Sequence, residues 1–206
     1  GNTTGAANTA VGKDSLRTNS TGAQNVAMGN ASLELNTTGS YNVGVGDFAL
    51  YNNTTASNNI AVGKDALLSN TTGANNVAVG YTALDANTTA NNNTAVGHTA
   101  LGANTTGTGN TAVGQQAGIS ITTGDDNTIV GQAAGDALTT GEYNVAIGQG
   151  ALSAATTASY NTAVGRYALI SNTGANNTGI GYNSLGANTS GTENAAVGSQ
   201  SLLSNT

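Results

Sequence analysis

Asn76-Val77-Ala78-Val79-Gly80-Tyr81-Thr82-Ala83-Leu84-Asp85-Ala86-Asn87-Thr88-Thr89-Ala90-Asn91-Asn92 runs directly into Asn93-Thr94-Ala95-Val96-Gly97-His98-Thr99-Ala100-Leu101-Gly102-Ala103-Asn104-Thr105-Thr106-Gly107-Thr108-Gly109. The second stretch repeats the first at a spacing of 17 residues. Followed outward in both directions, the same unit opens on Asn at positions 8, 25, 42, 59, 76, 93, 110, 127, 144, 161, 177 and 194. Every step is 17 except the 16 from Asn161 to Asn177, where Asn172-Thr173-Gly174 has one Thr in place of two. Self-similarity at a fixed short period is the mark of a solenoid, in which each unit packs only on its neighbours. The chain therefore reads as a single array over residues 1–206. Gly1 enters in the tail of a unit and Asn205-Thr206 breaks off inside one, as expected of a fragment of a longer fibrous protein.

Numbering the unit from its Asn as columns 1 to 17 sorts the residues. Columns 1 and 5 are Asn and Gly throughout, column 4 is Val, Ile or Met, column 8 is Ala or Ser, and column 9 is Leu in ten of twelve units. Columns 12 to 14 are mostly Asn-Thr-Thr. Every charged residue, His98, Phe48 and all seven Tyr fall in columns 6, 7, 10, 16 or 17. The constant columns are expected to make the unit-to-unit contacts, and the variable ones to face solvent or a partner.

The unit is too short for a helical hairpin repeat of about 34 residues. Its apolar or Thr columns 2 and 4 alternate with small or polar columns 1, 3 and 5, a period-2 pattern that predicts a short strand. Gly in column 5 marks a corner that needs positive φ or close backbone approach. Columns 8 to 12 read as a second short strand with Leu inward, and columns 13 to 17 as a long turn. The fold class is all-β: a parallel β-solenoid of about twelve coils, rising about 4.8 Å per coil and so roughly 58 Å in all. Stacked Asn side chains are expected to bond along the rod as amide ladders, and the Thr columns to do the same through hydroxyls. Where Leu gives way to Gly118 and Gly135, column 12 changes from Asn to Ile121 and Leu138, so the apolar residue is relocated into the same space. One Leu, one or two Val and some Ala are few inward side chains for 17 ordered residues. A lone rod is thinly supported, and packing of neighbouring rods through a second apolar face is expected.

Little in the chain invites other chemistry. Its 206 residues hold no Cys, Pro or Trp, and only 7% are charged, with a net charge of −6. The four cations, Lys13, Arg17, Lys64 and Arg166, are scattered, which argues against nucleic-acid binding. No apolar run reaches the ~20 residues of a membrane span. Gly12-Lys13-Asp14 and Gly63-Lys64-Asp65 lack the remainder of a phosphate loop and read as corners beside an ion pair. A lone His98 supplies neither a metal site nor a triad. Asp125, Asp126 and Glu142 gather on one turn edge, where a solvated acidic patch is favoured over a Ca²⁺ site. No catalytic residue, metal ligand or cofactor site is therefore expected, and the chain is not expected to be an enzyme. Asn-x-Thr sequons at Asn36, Asn70, Asn87 and Asn104 are by-products of the Asn-Thr-Thr ladder.

The phase Asn-Thr/Val-Ala-Val-Gly-x-x-Ala-Leu, as in Asn76 to Leu84 and in Asn144-Val145-Ala146-Ile147-Gly148, resembles the head repeats of YadA-like trimeric autotransporter adhesins. Related arrays look like segments of phage tail fibres and bacterial surface proteins. The resemblance runs through the whole chain but departs in its Thr-Thr-Gly-x-x turn, which is longer than the family's. It implies a left-handed β-roll, three chains about one axis, and an extracellular place on a bacterial cell surface, outer-membrane-attached, or on a virion.

Exposed aromatics are the candidate surface-binding residues. Tyr143 and Tyr160 share column 17 in successive coils and should stack, while Tyr81, Tyr182 and Phe48 lie at the corner of columns 6 and 7. Surface aromatics commonly anchor interfaces, so the partners expected are host or matrix glycans or proteins. Three functions follow. The first is a structural and adhesive fibre segment for attachment or rigid spacing. The second is a self-assembling extracellular filament or matrix subunit, built by end-to-end stacking of unfinished coils. The third is an ice-binding solenoid, on the strength of the Thr columns 13 and 14.

Overall fold

A computed structural model describes residues 3–204; Gly1 and the Asn205-Thr206 break lie outside the described residues. Each unit contributes one three-residue strand at columns 2 to 4. These are β1 (Thr9–Val11), β2 (Val26–Met28), β3 (Val43–Val45), β4 (Ile60–Val62), β5 (Val77–Val79) and β6 (Thr94–Val96), followed by β7 (Thr111–Val113), β8 (Thr128–Val130), β9 (Val145–Ile147), β10 (Thr162–Val164), β11 (Thr178–Ile180) and β12 (Ala195–Val197). They form one 12-stranded parallel sheet in sequence order. The register is column on column, as in Val77↔Thr94, Ala78↔Ala95 and Val79↔Val96. The short unit keeps it too, with Thr162↔Thr178, because the missing residue is taken out of the turn. The β-solenoid is therefore observed, in about eleven turns of 17 residues.

The second expected strand is not one. Columns 7 and 9 lie in the left-handed region in every coil, from φ 46° at Leu202 to 63° at Gly150. Backbone hydrogen bonds still run between coils here. The column 7 N–H of Ala31 donates to the previous coil (Lys13 O, 2.8 Å), and the column 9 N–H of Leu33 to the next (Ala49 O, 3.0 Å). Left-handed L-residues cost roughly 1–2 kcal/mol each. The inter-coil bonds and the burial of Leu offset that cost, and neither is visible in a single unit. Gly at column 5 is needed for two reasons. Its φ runs from 124° at Gly12 to 141° at Gly80, and a Cβ on Gly80 would stand 2.4 Å from Gly97 O of the next coil.

The strand faces also differ from expectation. From β2 to β12 the middle residue of the strand is buried: Ala61 is fully buried, while its neighbours Ile60 and Val62 are 41% and 37% exposed. The apolar columns 2 and 4 thus line the outside, and the Val expected in the core is not there. The interior holds Leu of column 9, Ala of columns 3 and 8, and Asn of columns 1 and 12. Nor do all variable columns face solvent: Glu34 in column 10 is buried against Arg17, and Asp85, half-buried, has its carboxyl pushed up by burial.

Relocation of the core residue is seen, with one addition. A Cβ on Gly118 would lie 2.9 Å from Ile121 Cδ1, so Ile121 fills the space left by Leu. At Gly135 the nearest atom is Ile129 Cδ1 at 3.1 Å, contributed by column 3, where other strands have Ala or Gly; Leu138 is buried as well.

The two Asn columns do different work. In column 12 the amides form a direct ladder: Asn36 Nδ2 donates to Asn19 Oδ1 (2.7 Å), Asn53 to Asn36 (2.9 Å), Asn70 to Asn53 (3.0 Å) and Asn87 to Asn70 (2.8 Å). In column 1 the side chain mainly serves backbone. Asn76 Nδ2 donates to Ala90 O (2.8 Å) in the turn of its own coil, and Asn76 Oδ1 accepts the Asn93 N–H (3.0 Å) of the next. When column 12 turns apolar at Ile121, the direct amide ladder passes to column 1, where Asn127 donates to Asn110, Asn144 to Asn127 (each 3.0 Å) and Asn161 to Asn144 (3.2 Å). The handover leaves Asn104 Oδ1 buried without a partner. Asn70→Leu is accordingly expected to destabilise by about 1–3 kcal/mol more than Asn104→Leu, because only the first removes a working acceptor. Equal midpoints in urea unfolding would contradict this.

Threonine separates in the same way. Column 13 hydroxyls donate to the carbonyl of the next coil, as from Thr71 to Thr88 O (3.0 Å) and from Thr122 to Thr139 O (3.2 Å). Column 14 threonines such as Thr38, Thr72 and Thr106 are exposed.

Candidate functional site

The variable columns form edges along the rod, and stacking places residues of one column next to each other. On the column 17 edge the backbone is again left-handed, at φ 55° for Tyr143 and 59° for Tyr160. The two rings stack at 5.2 Å between centroids and 11° between planes, as the sequence predicted. With ring planes stacked along the rod, a ligand meets ring edges and hydroxyls rather than open faces. Asp126, then Tyr160 and Glu142, hold the Tyr143 hydroxyl above the usual tyrosine range. Asp126→Asn is expected to return it toward that range, read as an earlier rise of phenolate absorbance in an alkaline titration; an unchanged curve would discount the carboxylate.

Asp125 belongs to the scaffold. Its Oδ1 accepts from the Thr108 N–H (2.6 Å) and hydroxyl (3.1 Å) of the coil before. Other column 16 side chains do the same, including Ser40 Oγ for the Ala23 N–H and Ser159 Oγ for the Glu142 N–H, each at 3.0 Å. Among the described residues no three His, Cys, Asp or Glu side chains are grouped to hold a metal ion.

The remaining candidate aromatics do not converge. Tyr81 stacks on His98 (5.5 Å, 13°) with Lys64 Nζ 5.8 Å from its other side, a ladder along column 6. Further along, Gln149 bonds Gln132 (3.3 Å) and Arg166 bonds Gln149 (2.9 Å). Phe48 is half-buried and packs edge-on against Tyr51 at 5.5 Å. Tyr182 is exposed and lies six coils from Tyr81, about 29 Å at one strand spacing per coil. Sharing a corner in the repeat thus does not make Tyr81, Tyr182 and Phe48 one site.

The cations are engaged. Lys13 pairs with Asp14 (3.8 Å), Lys64 with Asp65 (3.5 Å) and Arg17 with Glu34, while Arg166 lies 4.3 Å from the Tyr167 ring. Asn36, Asn70, Asn87 and Asn104, the sequon residues, are fully buried in the amide ladder and offer no side chain for a glycan on the folded rod. Among the described residues there is no enclosed cavity, and no helix is long and apolar enough to cross a membrane.

The second apolar face expected from the sequence lies where the sequence did not place it, on the outward side of the strands. The outward side of the sheet carries Thr, Val, Ile or Ala in column 2 and Val, Ile or Met in column 4, with no charged residue in either column. A signal for it was present: columns 3 and 8 admit little besides Ala, Gly and Ser, as a tight interior requires, while columns 2 and 4 tolerate several shapes. Comparison with known protein families, with curated proteins and with solved structures finds no match to this chain.

Proposed function

We propose that the chain is a rigid, non-enzymatic fibre segment with a structural and adhesive role on a cell surface or virion. In this reading three chains pack as left-handed rolls through their outward strand faces, and the variable edges meet the partner. The observation that carries it is the uncharged, largely β-branched face running the length of the sheet, with Val11, Met28, Ile60, Val113 and Ile147 among its exposed residues. An apolar strip of this length on a solvated rod is unusual, and such strips mark association sites. The edges suit attachment because their residues can change from coil to coil without disturbing the ladder.

Light scattering and negative-stain electron microscopy of the purified chain test the proposal. Discrete three-chain rods roughly 53–58 Å long are expected from twelve coils at one strand spacing each. A stable monomer would overturn it, and long end-to-end filaments would favour the matrix-subunit reading.

A further inference from the structure

The outward face is not the same at its two ends. In β2 to β5, column 2 is Val or Ile; in β6, β7 and β8 it is Thr94, Thr111 and Thr128, and Thr returns in β10 and β11. Column 4 stays apolar throughout. One stretch of four coils is therefore apolar in both rows, while most of the rest pairs a hydroxyl with an apolar side chain. We infer that β2 to β5 carry most of the association between copies, and that this asymmetry sets the copies parallel and in the same register. The inference rests on the reading that the face is shared between chains.

The occupant is a second copy for three reasons. Columns 2 and 4 stand about 6.6 Å apart across the strand and repeat at about 4.8 Å along the rod. Another rod of the same chain has ridges of matching period, so they can seat along the whole length. The face carries no charge with which to recognise an ionic ligand. Finally, a strip about 53 Å by about 10 Å gives roughly 1,000 Å² for two chains, near the lower bound of a specific interface, so a stable contact needs full overlap.

Full overlap can be parallel or antiparallel. Antiparallel packing sets β2 to β5 against β11 to β8, where Thr178, Thr162 and Thr128 would be desolvated against Val and Ile without a hydrogen-bond partner. Parallel packing sets apolar rows together and brings Thr rows to Thr rows, whose hydroxyls can bond across the seam.

The test uses substitutions the repeat already contains. Ile60→Thr with Val77→Thr converts β4 and β5 to the pattern of β6 and β7, so folding is retained. Association measured by sedimentation is expected to weaken at least tenfold, whereas Thr94→Val with Thr111→Val strengthens it. Spin labels on Lys13→Cys, at one end of the rod, report direction: parallel copies give a separation of one rod width, antiparallel copies one near the rod length of about 53 Å. A wild-type monomer, including one that arrests ice growth, would overturn the shared face itself. Oligomers that respond equally to both double variants, or that place the labels a rod length apart, would overturn only the asymmetry.

Discussion

Gly80→Ala is expected to cost at least about 3 kcal/mol and to uncouple the array at the fifth and sixth coils. Two effects add at this position. The backbone sits at φ 141°, a region L-residues avoid. The new methyl would also stand 2.4 Å from Gly97 O and 2.6 Å from Gly97 C. Those atoms are backbone held in the ladder, with the Gly97 N–H bonded to Val79 O at 2.8 Å, so no side chain can swing aside. Because a solenoid is stabilised between neighbours, the damage should be local. Amide hydrogen exchange should accelerate across residues 77–97 while protection near Leu33 and Leu169 survives. Wild-type melting together with unchanged exchange would show that the glycine requirement is misread.

Asn76→Ala is expected to cost about 2–4 kcal/mol through the loss of two bonds made by one side chain. Without Asn76 Oδ1 the buried Asn93 N–H has no acceptor, and Ala90 O loses one of its two donors, keeping Asn87 Nδ2 at 3.2 Å. Asn76→Asp separates the two roles. Its carboxylate can still accept from Asn93, but it places a charge against the Ala90 carbonyl in a fully buried position. Burial and that carbonyl raise the folded-state pKa above the unfolded value of about 3.9. The Asp variant should therefore be most stable below that unfolded value and lose stability as pH rises through the raised folded one. An Asp variant equal to wild type at neutral pH would refute the donor role of Asn76.

These two positions also show what a repeat discloses. Gly80 and Asn76 stand in columns that never vary, and each proves to bind one coil to the next. Leu84 was legible as interior and Asn87 as a ladder residue, because each is set by contacts with its own copies one coil away. The stack of Tyr143 on Tyr160 followed from the same arithmetic. Tyr81 and Tyr182 did not group, since sharing a column brings only adjacent coils together.

Other features depend on how a coil closes. Val79 and Ala78 alternate in either orientation of the strand, so periodicity could not say which points inward. The left-handed residues at columns 7, 9 and 17 bend each coil so that Ala lies inside, leaving too little room there for Val. Ile129 enters the core only because Gly135 vacates space beside it. The amino-acid sequence by itself determined the period, the parallel in-register stack and the ladder columns, all properties of one coil against the next. Only the tertiary structure decided the face of the strand, the conformation of the corners and hence the apolar outer surface. Those follow from closing the whole coil around its core, a balance of backbone strain, inter-coil hydrogen bonds and packing volume that no single unit contains.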